Sequence, residues 1–150
     1  RVHPAGQGNL SMKVQSKLAL AAVVLLLFAG LLYGHTKKPW PVPAAAKARK
    51  NPVAATAESL ATGAKLFQRN CAVCHGETGD GKGPWQDILT TQPSDFADAH
   101  MMAEHTDGEL FWKISTGREQ MPAFEKKLSE QKRWQLVNYL RTFARSKGKK

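Results

Sequence analysis

Cys71-Ala72-Val73-Cys74-His75 is the stretch that decides the fold of this 150-residue chain. Its two thiols, three positions apart, lie on one turn of backbone and can reach the two vinyl groups of one porphyrin, while the adjoining imidazole can point at the iron. Cys71 and Cys74 are also the only cysteines, which leaves none for a disulfide. The motif therefore predicts covalent attachment of one c-type haem, with His75 as an axial ligand.

Two other kinds of site contain a Cys-x-x-Cys pair. A thioredoxin-type redox pair requires alternating strands and helices around it, and no segment of this sequence alternates convincingly as a strand. A zinc site requires two further ligands, which His100 and His105 could supply. A histidine directly after the second cysteine has no role in such a site, so haem attachment is the favoured interpretation.

Met121 is the favoured sixth ligand of the iron. Pro122 follows it and restricts Met121 to extended conformations, which suits a thioether that must leave a loop and reach the haem face. The alternative is that Met121 fills a gap in the core. Other candidate ligands lie between the two segments: His100, Met101, Met102 and His105. The first three form a looser cluster, which is expected to line the pocket or to lie at the surface.

From Ser59 to Phe143 the chain resembles a class I, mitochondrial/bacterial-type monohaem cytochrome c. The resemblance rests on the haem motif, on Met121-Pro122 and on two terminal helices. In that family the first helix carries a glycine and then an aromatic residue one turn later, and it crosses the last helix at an aliphatic–aromatic pair. Gly63 and Phe67 match the first pair, and Leu136 and Tyr139 match the second. Gly63 would let the two backbones approach closely where Tyr139 crosses.

The resemblance also implies a partner for the ligand histidine. In the family a proline carbonyl, shortly after the motif, accepts the other N–H of the imidazole and fixes its orientation. Pro84, in a glycine-rich loop, is the residue that resembles it, although it could also be turn punctuation.

Helical spacing of apolar residues predicts an all-α fold around the haem. A first helix is expected from Ser59 to Asn70. Thr106 has capping-box spacing with Glu109 and opens a second helix, which Gly117 is placed to end. Ser129 is expected to cap the final helix.

The amino-terminal third predicts a membrane anchor. Residues 18–36 are nineteen residues without Asp, Glu, Lys or Arg, about 28 Å as a helix. A cleavable signal peptide is the alternative. The predicted organisation is an N-terminal segment (1–17), a transmembrane signal-anchor helix (18–36), a Pro/Ala-rich basic linker (37–57), a cytochrome c domain (58–145) and a basic tail (146–150).

The location of the haem domain involves a conflict between two indications. The basic residues that follow the span outnumber those before it, so the positive-inside rule alone places the domain in the cytoplasm. Resemblance to the cytochrome family implies that haem is attached outside the cytoplasmic membrane. We therefore expect a single-pass protein of the inner membrane with its haem domain on the periplasmic side.

The net charge of +10 does not indicate a nucleic-acid-binding protein. Residues 1–57 hold eight basic and no acidic residues, whereas residues 58–140 hold nine basic and twelve acidic ones. The positive charge is thus in the anchor flanks, linker and tail, where it can meet anionic lipid or an acidic partner. No nucleic-acid partner is predicted.

The Pro- and Ala-rich stretch at residues 35–57 predicts a semi-rigid tether. Fully extended at about 3.1 Å per residue, it would reach roughly 70 Å and could let the domain swing between two partners. It could equally lie bound along one partner.

The expected function is one-electron transfer by a membrane-tethered carrier with His75/Met121 ligation, not catalysis. Its partners would be a membrane-embedded electron-transfer complex, a soluble redox protein, or both. An alternative is a fixed subunit of a terminal oxidase, a quinol-oxidising complex or a photosynthetic reaction centre. A haem enzyme or gas sensor with a labile Met121 is a third possibility.

Overall fold

The computed structural model describes residue 17 and residues 40–146. Within the latter range the regular structure is helical, and the β pairing there is an isolated bridge between Arg118 and Met121. This confirms the all-α prediction for the domain. The helices are α1 (Ala44–Ala48), α2 (Ala57–Asn70), α3 (Ala72–His75), a 3-10 turn (Gln86–Ile88), α4 (Ala99–Glu104), α5 (Asp107–Thr116) and α6 (Glu130–Ser146).

Hydroxyl side chains cap the three longest helices. Thr56 accepts a hydrogen bond from the backbone N–H of Ser59 at 3.1 Å, so α2 begins two residues earlier than predicted. Thr106 accepts from the N–H of Glu109 at 3.1 Å. The hydroxyl of Ser129 accepts from the N–H of Lys132 at 3.3 Å. Each bond satisfies an N–H that lacks a partner within its helix, and the caps predicted at Thr106 and Ser129 are confirmed.

Helices α2 and α6 form the main packing contact of the domain. Gly63 lies against α6, where an added Cβ would contact the carbonyl oxygen of Gln135 and the Cβ of Tyr139. The predicted close approach of Gly63 and Tyr139 is therefore confirmed. The buried core around this contact consists chiefly of aromatic and aliphatic side chains, among them Phe67, Phe96, Met102, Leu110, Phe111, Ile114, Phe124, Trp134, Leu136, Val137, Leu140 and Phe143.

Helix α4 was not predicted from the sequence. The carboxylate of Asp98 caps it by accepting from the N–H groups of His100 and Met101 at 2.9 and 3.2 Å. Arg141 of α6 then binds the backbone carbonyls of Met102 and His105, which joins α4 to the last helix.

Residues 41–56, the N-terminal strap, pack on α5 and α6. The Arg49 guanidinium lies 4.6 Å from the ring centroid of Phe111 and 5.2 Å from that of Trp134. The Asn51 amide donates to the Oδ1 of Asn138 at 2.9 Å, and Ala46 is buried. Most of the predicted linker, residues 37–57, is thus part of the domain, because its side chains find aromatic and amide partners on two helices.

The other N-terminal predictions lie outside the described residues. These are the transmembrane helix at residues 18–36 and all but residue 17 of the segment before it. In the described part of the chain, no helix has both the length and the apolar character needed to cross a membrane. The basic tail is described only to residue 146.

Candidate functional site

The haem motif begins where α2 ends. The N–H of Cys71 donates to the carbonyl of Phe67 at 2.8 Å and completes α2, and the carbonyl of Cys71 accepts from the N–H groups of Cys74 and His75 at 3.1 and 2.9 Å. Both cysteines are half-buried free thiols. The turn of α3 therefore places two thiols and an imidazole on one short stretch of backbone, as the motif requires.

The loop after the motif folds back on α3. The N–H groups of Gly81, Gly83 and Trp85 donate to the carbonyls of His75, Cys74 and Val73 respectively, at 2.8, 3.1 and 3.0 Å. A Cβ on Gly83 would collide with the backbone of Val73 and Cys74. The loop therefore requires a glycine at position 83, and its hydrogen bonds hold α3 in place.

His75 is held by a carbonyl and an aromatic ring. Its Nδ1 lies 3.2 Å from the carbonyl oxygen of Ser94, and its ring stacks on Phe96 at a centroid distance of 4.7 Å. An Nδ1–H that donates to Ser94 leaves Nε2 free to bind a metal. Pro84 is the residue that the family resemblance implies for this carbonyl role, whereas in the structure the carbonyl beside Nδ1 belongs to Ser94.

The lowered pKa of His75 fits its role as an iron ligand. Burial lowers the pKa of His75, and the hydrogen bond to Ser94 opposes this only in part, so the imidazole is held in the neutral form that binds metals. Burial, followed by the proximity of Cys74, raises the pKa of Cys71 to about 12. A thioredoxin-type redox cysteine has a lowered pKa instead.

Met121 lies in a short loop between α5 and α6. The N–H of Met121 donates to the carbonyl of Arg118, and the N–H of Arg118 donates to the carbonyl of Met121, both at 2.9 Å. Glu119 closes this turn in the left-handed region at φ 53°. Beyond Pro122, the N–H of Phe124 donates to the carbonyl of Ile114 at 3.1 Å and fastens the loop to α5. Met121 itself is partly buried against the core.

The other candidate ligands are placed less favourably. The side chain of His100 is 86% exposed and lies 3.5 Å from Glu104, and His105 lies 3.1 Å from Glu109. Met102 is buried among core side chains, and Met101 packs at the edge of that core. Across the described ranges there is no group of three or more His, Cys, Asp or Glu side chains that could hold a metal ion.

The residues present fit a covalently bound haem. Two thiols can form thioethers, Nε2 of His75 is available to the iron, and Met121 carries a thioether on a fastened loop. Sequence reasoning missed Ser94 and Phe96, since nothing in their local sequence indicates that they will face an imidazole about twenty residues earlier.

The comparison with solved structures finds similar chains. One is a chain of the Kuenenia stuttgartiensis reducing HAO-like protein complex Kustc0457/Kustc0458, with 24% identity and a TM-score of 0.54 over 71% of this chain. This chain covers about half (51%) of that relative. The KustC0563 c-type cytochrome has 30% identity and a TM-score of 0.49, over 54% of this chain and 95% of its own. No curated protein sequence matches.

A family profile covers most of the helical domain. It matches residues 58–140, from the second residue of α2 into α6, and so includes the haem motif and the Met121 loop. The haem attachment predicted from Cys71 and Cys74 is confirmed by this match, and the cofactor is haem c. The chain belongs to the c-type cytochrome family described as "Cytochrome C oxidase, cbb3-type, subunit III".

Proposed function

We propose that this cytochrome is a membrane-tethered electron carrier whose haem iron is held axially by His75 and Met121. When bound, haem c supplies one-electron exchange between Fe(II) and Fe(III). The observation that carries the proposal is that hydrogen bonds to the backbone hold both candidate ligands. The imidazole of His75 lies beside the carbonyl of Ser94, and paired backbone hydrogen bonds join Met121 to Arg118.

Fixed ligands favour electron transfer over catalysis. An iron with protein ligands on both sides has no open position for a substrate or gas, and methionine ligation raises the potential relative to bis-histidine ligation. Ligands that stay in place in both oxidation states keep the rearrangement on electron transfer small. The chain's task is then to hold the imidazole and thioether still and to keep water from the iron.

The membrane location is part of the proposal. Residues 18–36 have the length and composition of a spanning helix, and the basic residues on either side suit anionic lipid. Haem attachment in this family takes place outside the cytoplasm, so we place the domain on the periplasmic side of the inner membrane.

A second candidate is a fixed subunit of a larger membrane complex. The family description names a subunit of an oxidase, and the strap at residues 41–56 packs on the domain, so less of the linker is free than the sequence predicts. Both observations suit a domain that delivers electrons within one assembly.

Extraction of the full-length protein from membranes in mild detergent distinguishes these candidates. A free monomer with the sharp reduced bands of low-spin haem supports the carrier, and a stable assembly with other subunits supports the fixed subunit. Release without detergent would contradict the anchor. Carbon monoxide binding by the reduced wild-type protein at neutral pH would contradict His/Met saturation and favour an enzyme or gas sensor.

A further inference from the structure

We infer that Gln120 is a positioning residue for Met121, and that residues 88–94, the bridging segment, hold both proposed axial ligands. The inference rests on the proposed His75/Met121 ligation and adds the residues that maintain it. It follows from a set of side-chain contacts on the surface between the Met121 loop and the connection from α3 to α4.

Gln120, the residue before Met121, contacts the bridging segment through its whole carboxamide. Its Oε1 accepts two hydrogen bonds from Thr90, one from the backbone N–H at 2.7 Å and one from the hydroxyl at 2.9 Å. Its Nε2 donates to the carbonyl of Ile88 at 3.5 Å. Because these contacts use both ends of the amide, they fix its plane and thereby the backbone that carries Met121.

Glu119 adds a parallel contact. Its Oε2 accepts a hydrogen bond from the Thr91 hydroxyl at 3.2 Å. Its backbone has φ 53°, a conformation that non-glycine residues rarely adopt and that persists only where surrounding contacts impose it. Two consecutive side chains of the Met121 loop thus bind two consecutive threonines.

The other end of the bridging segment binds the histidine. The carbonyl of Ser94, four residues after Thr90, lies 3.2 Å from the Nδ1 of His75. The amide of Gln92, between them, donates to the carbonyl of Gly81 at 2.7 Å and holds the segment to the loop after the haem motif. A displacement of this short segment would therefore change the setting of both ligands.

The size of the effect follows from the contacts. Each hydrogen bond at the surface contributes modestly on its own, but the Gln120 side chain makes three of them. Losing all three is expected to shift the equilibrium for release of Met121 roughly tenfold. The Thr90 hydroxyl supplies one of the three, so its loss is expected to have an effect of about two- to threefold.

Imidazole titration of the ferric full-length protein measures this equilibrium, because imidazole binds the iron where Met121 leaves it. Gln120→Ala is expected to bind imidazole roughly tenfold more tightly than wild type. Thr90→Val, which removes the hydroxyl but keeps the shape and the N–H, should show the smaller increase, and Thr90→Ser should match wild type. The double variant with Thr90→Val should equal Gln120→Ala alone.

A destabilised control separates positioning from general loosening. Asn51→Ala removes hydrogen bonds between the strap and α6, far along the chain from the Met121 loop, and should lower thermal stability without changing imidazole affinity. An equal gain in affinity for Asn51→Ala and Gln120→Ala would overturn the inference.

Met121→Ala distinguishes a failure of the proposed His75/Met121 ligation from a failure of the positioning role of Gln120. If it binds imidazole no more tightly than wild type, the proposed ligation fails and the inference fails with it. If Met121→Ala gains affinity and Gln120→Ala does not, the ligation stands and the positioning role of Gln120 is wrong.

Discussion

Gly63 of α2 lies so near Tyr139 of α6 that a Cβ on the glycine would stand 2.7 Å from the Cβ of the tyrosine. It would also meet the backbone carbonyl of Gln135, which cannot move aside without shifting α6. Phe67, one turn later, is fully buried and packs at 5.7 Å between ring centroids against the same tyrosine. The crossing of the two helices therefore depends on the absence of a side chain at position 63.

Gly63→Ala is expected to destabilise the domain by about 2 kcal/mol. Helix propensity alone favours alanine by about 1 kcal/mol. Overpacking against a backbone carbonyl that cannot move aside costs about 3 kcal/mol, the upper end of the usual range, and forces α2 and α6 apart. Urea unfolding followed by helical circular dichroism measures the difference. Ala61→Gly, at an exposed position of the same helix, is the control for helix propensity. It should lower the free energy of unfolding by about 1 kcal/mol. A Gly63→Ala protein as stable as wild type would contradict the packing argument.

Met121→Ala is expected to leave the haem attached and to open the iron on one side. The reduced variant should bind carbon monoxide at neutral pH, because alanine supplies no ligand atom, whereas wild type should not. Absorption spectra before and after addition of the gas provide the measurement. Met101→Ala, at the edge of the core, is the matched control and should resemble wild type. Carbon monoxide binding by the Met101 variant alone would move the ligand assignment to that residue.

Glu109 is expected to make stability depend on pH in the acid range. Burial alone would raise its pKa, but the Lys113 ammonium at 2.9 Å and His105 at 3.1 Å lower it below its ordinary 4.5 overall. A carboxyl group with a lowered pKa in the folded state stabilises the protein above its unfolded pKa, and this contribution disappears as the pH falls through the folded value.

Comparison of wild type with Glu109→Gln tests that dependence. Urea unfolding from pH 7 to pH 3 should show wild type more stable at neutral pH, with the difference shrinking below about pH 4.5. Glu104→Gln, which removes a surface carboxylate that pairs with exposed His100, should not alter the profile. A difference between wild type and Glu109→Gln that is constant over the range would contradict the prediction.

Removal of the strap is expected to destabilise the domain, although composition predicts a linker there. A protein that lacks residues 1–55 keeps the Thr56 cap of α2 but loses the Arg49 stacking and the Asn51 hydrogen bonds, a cost of at least about 2 kcal/mol. A protein that lacks only residues 1–40 keeps both. Thermal unfolding of the two haem-loaded truncations measures the difference, and equal midpoints would show that the strap is dispensable.

Local patterns were sufficient for the three longest helices and for the haem motif. A hydroxyl residue before an apolar helical repeat, as at Thr106 and Ser129, acts over three or four residues, so its effect can be read from the sequence. The glycine at position 63 was predictable because the family resemblance paired it with Tyr139. The cysteine–histidine motif carries its chemistry within five residues.

Contacts between distant segments were not predictable in this way. Ser94 replaces Pro84 as the partner of His75 because the whole loop after the motif folds back on α3, and that path depends on tertiary packing. The strap has a linker-like composition, and only the folded structure shows Arg49 over Phe111, 62 residues further along the chain. Helix α4 was missed because it is short and has only one buried side chain, Met102.

The docked strap has a consequence for how far this cytochrome can travel. If a membrane helix ends at residue 36, only residues 37–40 remain between it and the packed segment, and four extended residues cover at most about 14 Å. The distance that the tether could span would then fall about fivefold from the roughly 70 Å that the sequence predicts. Encounter with a partner would then depend on lateral diffusion in the bilayer or on permanent neighbours.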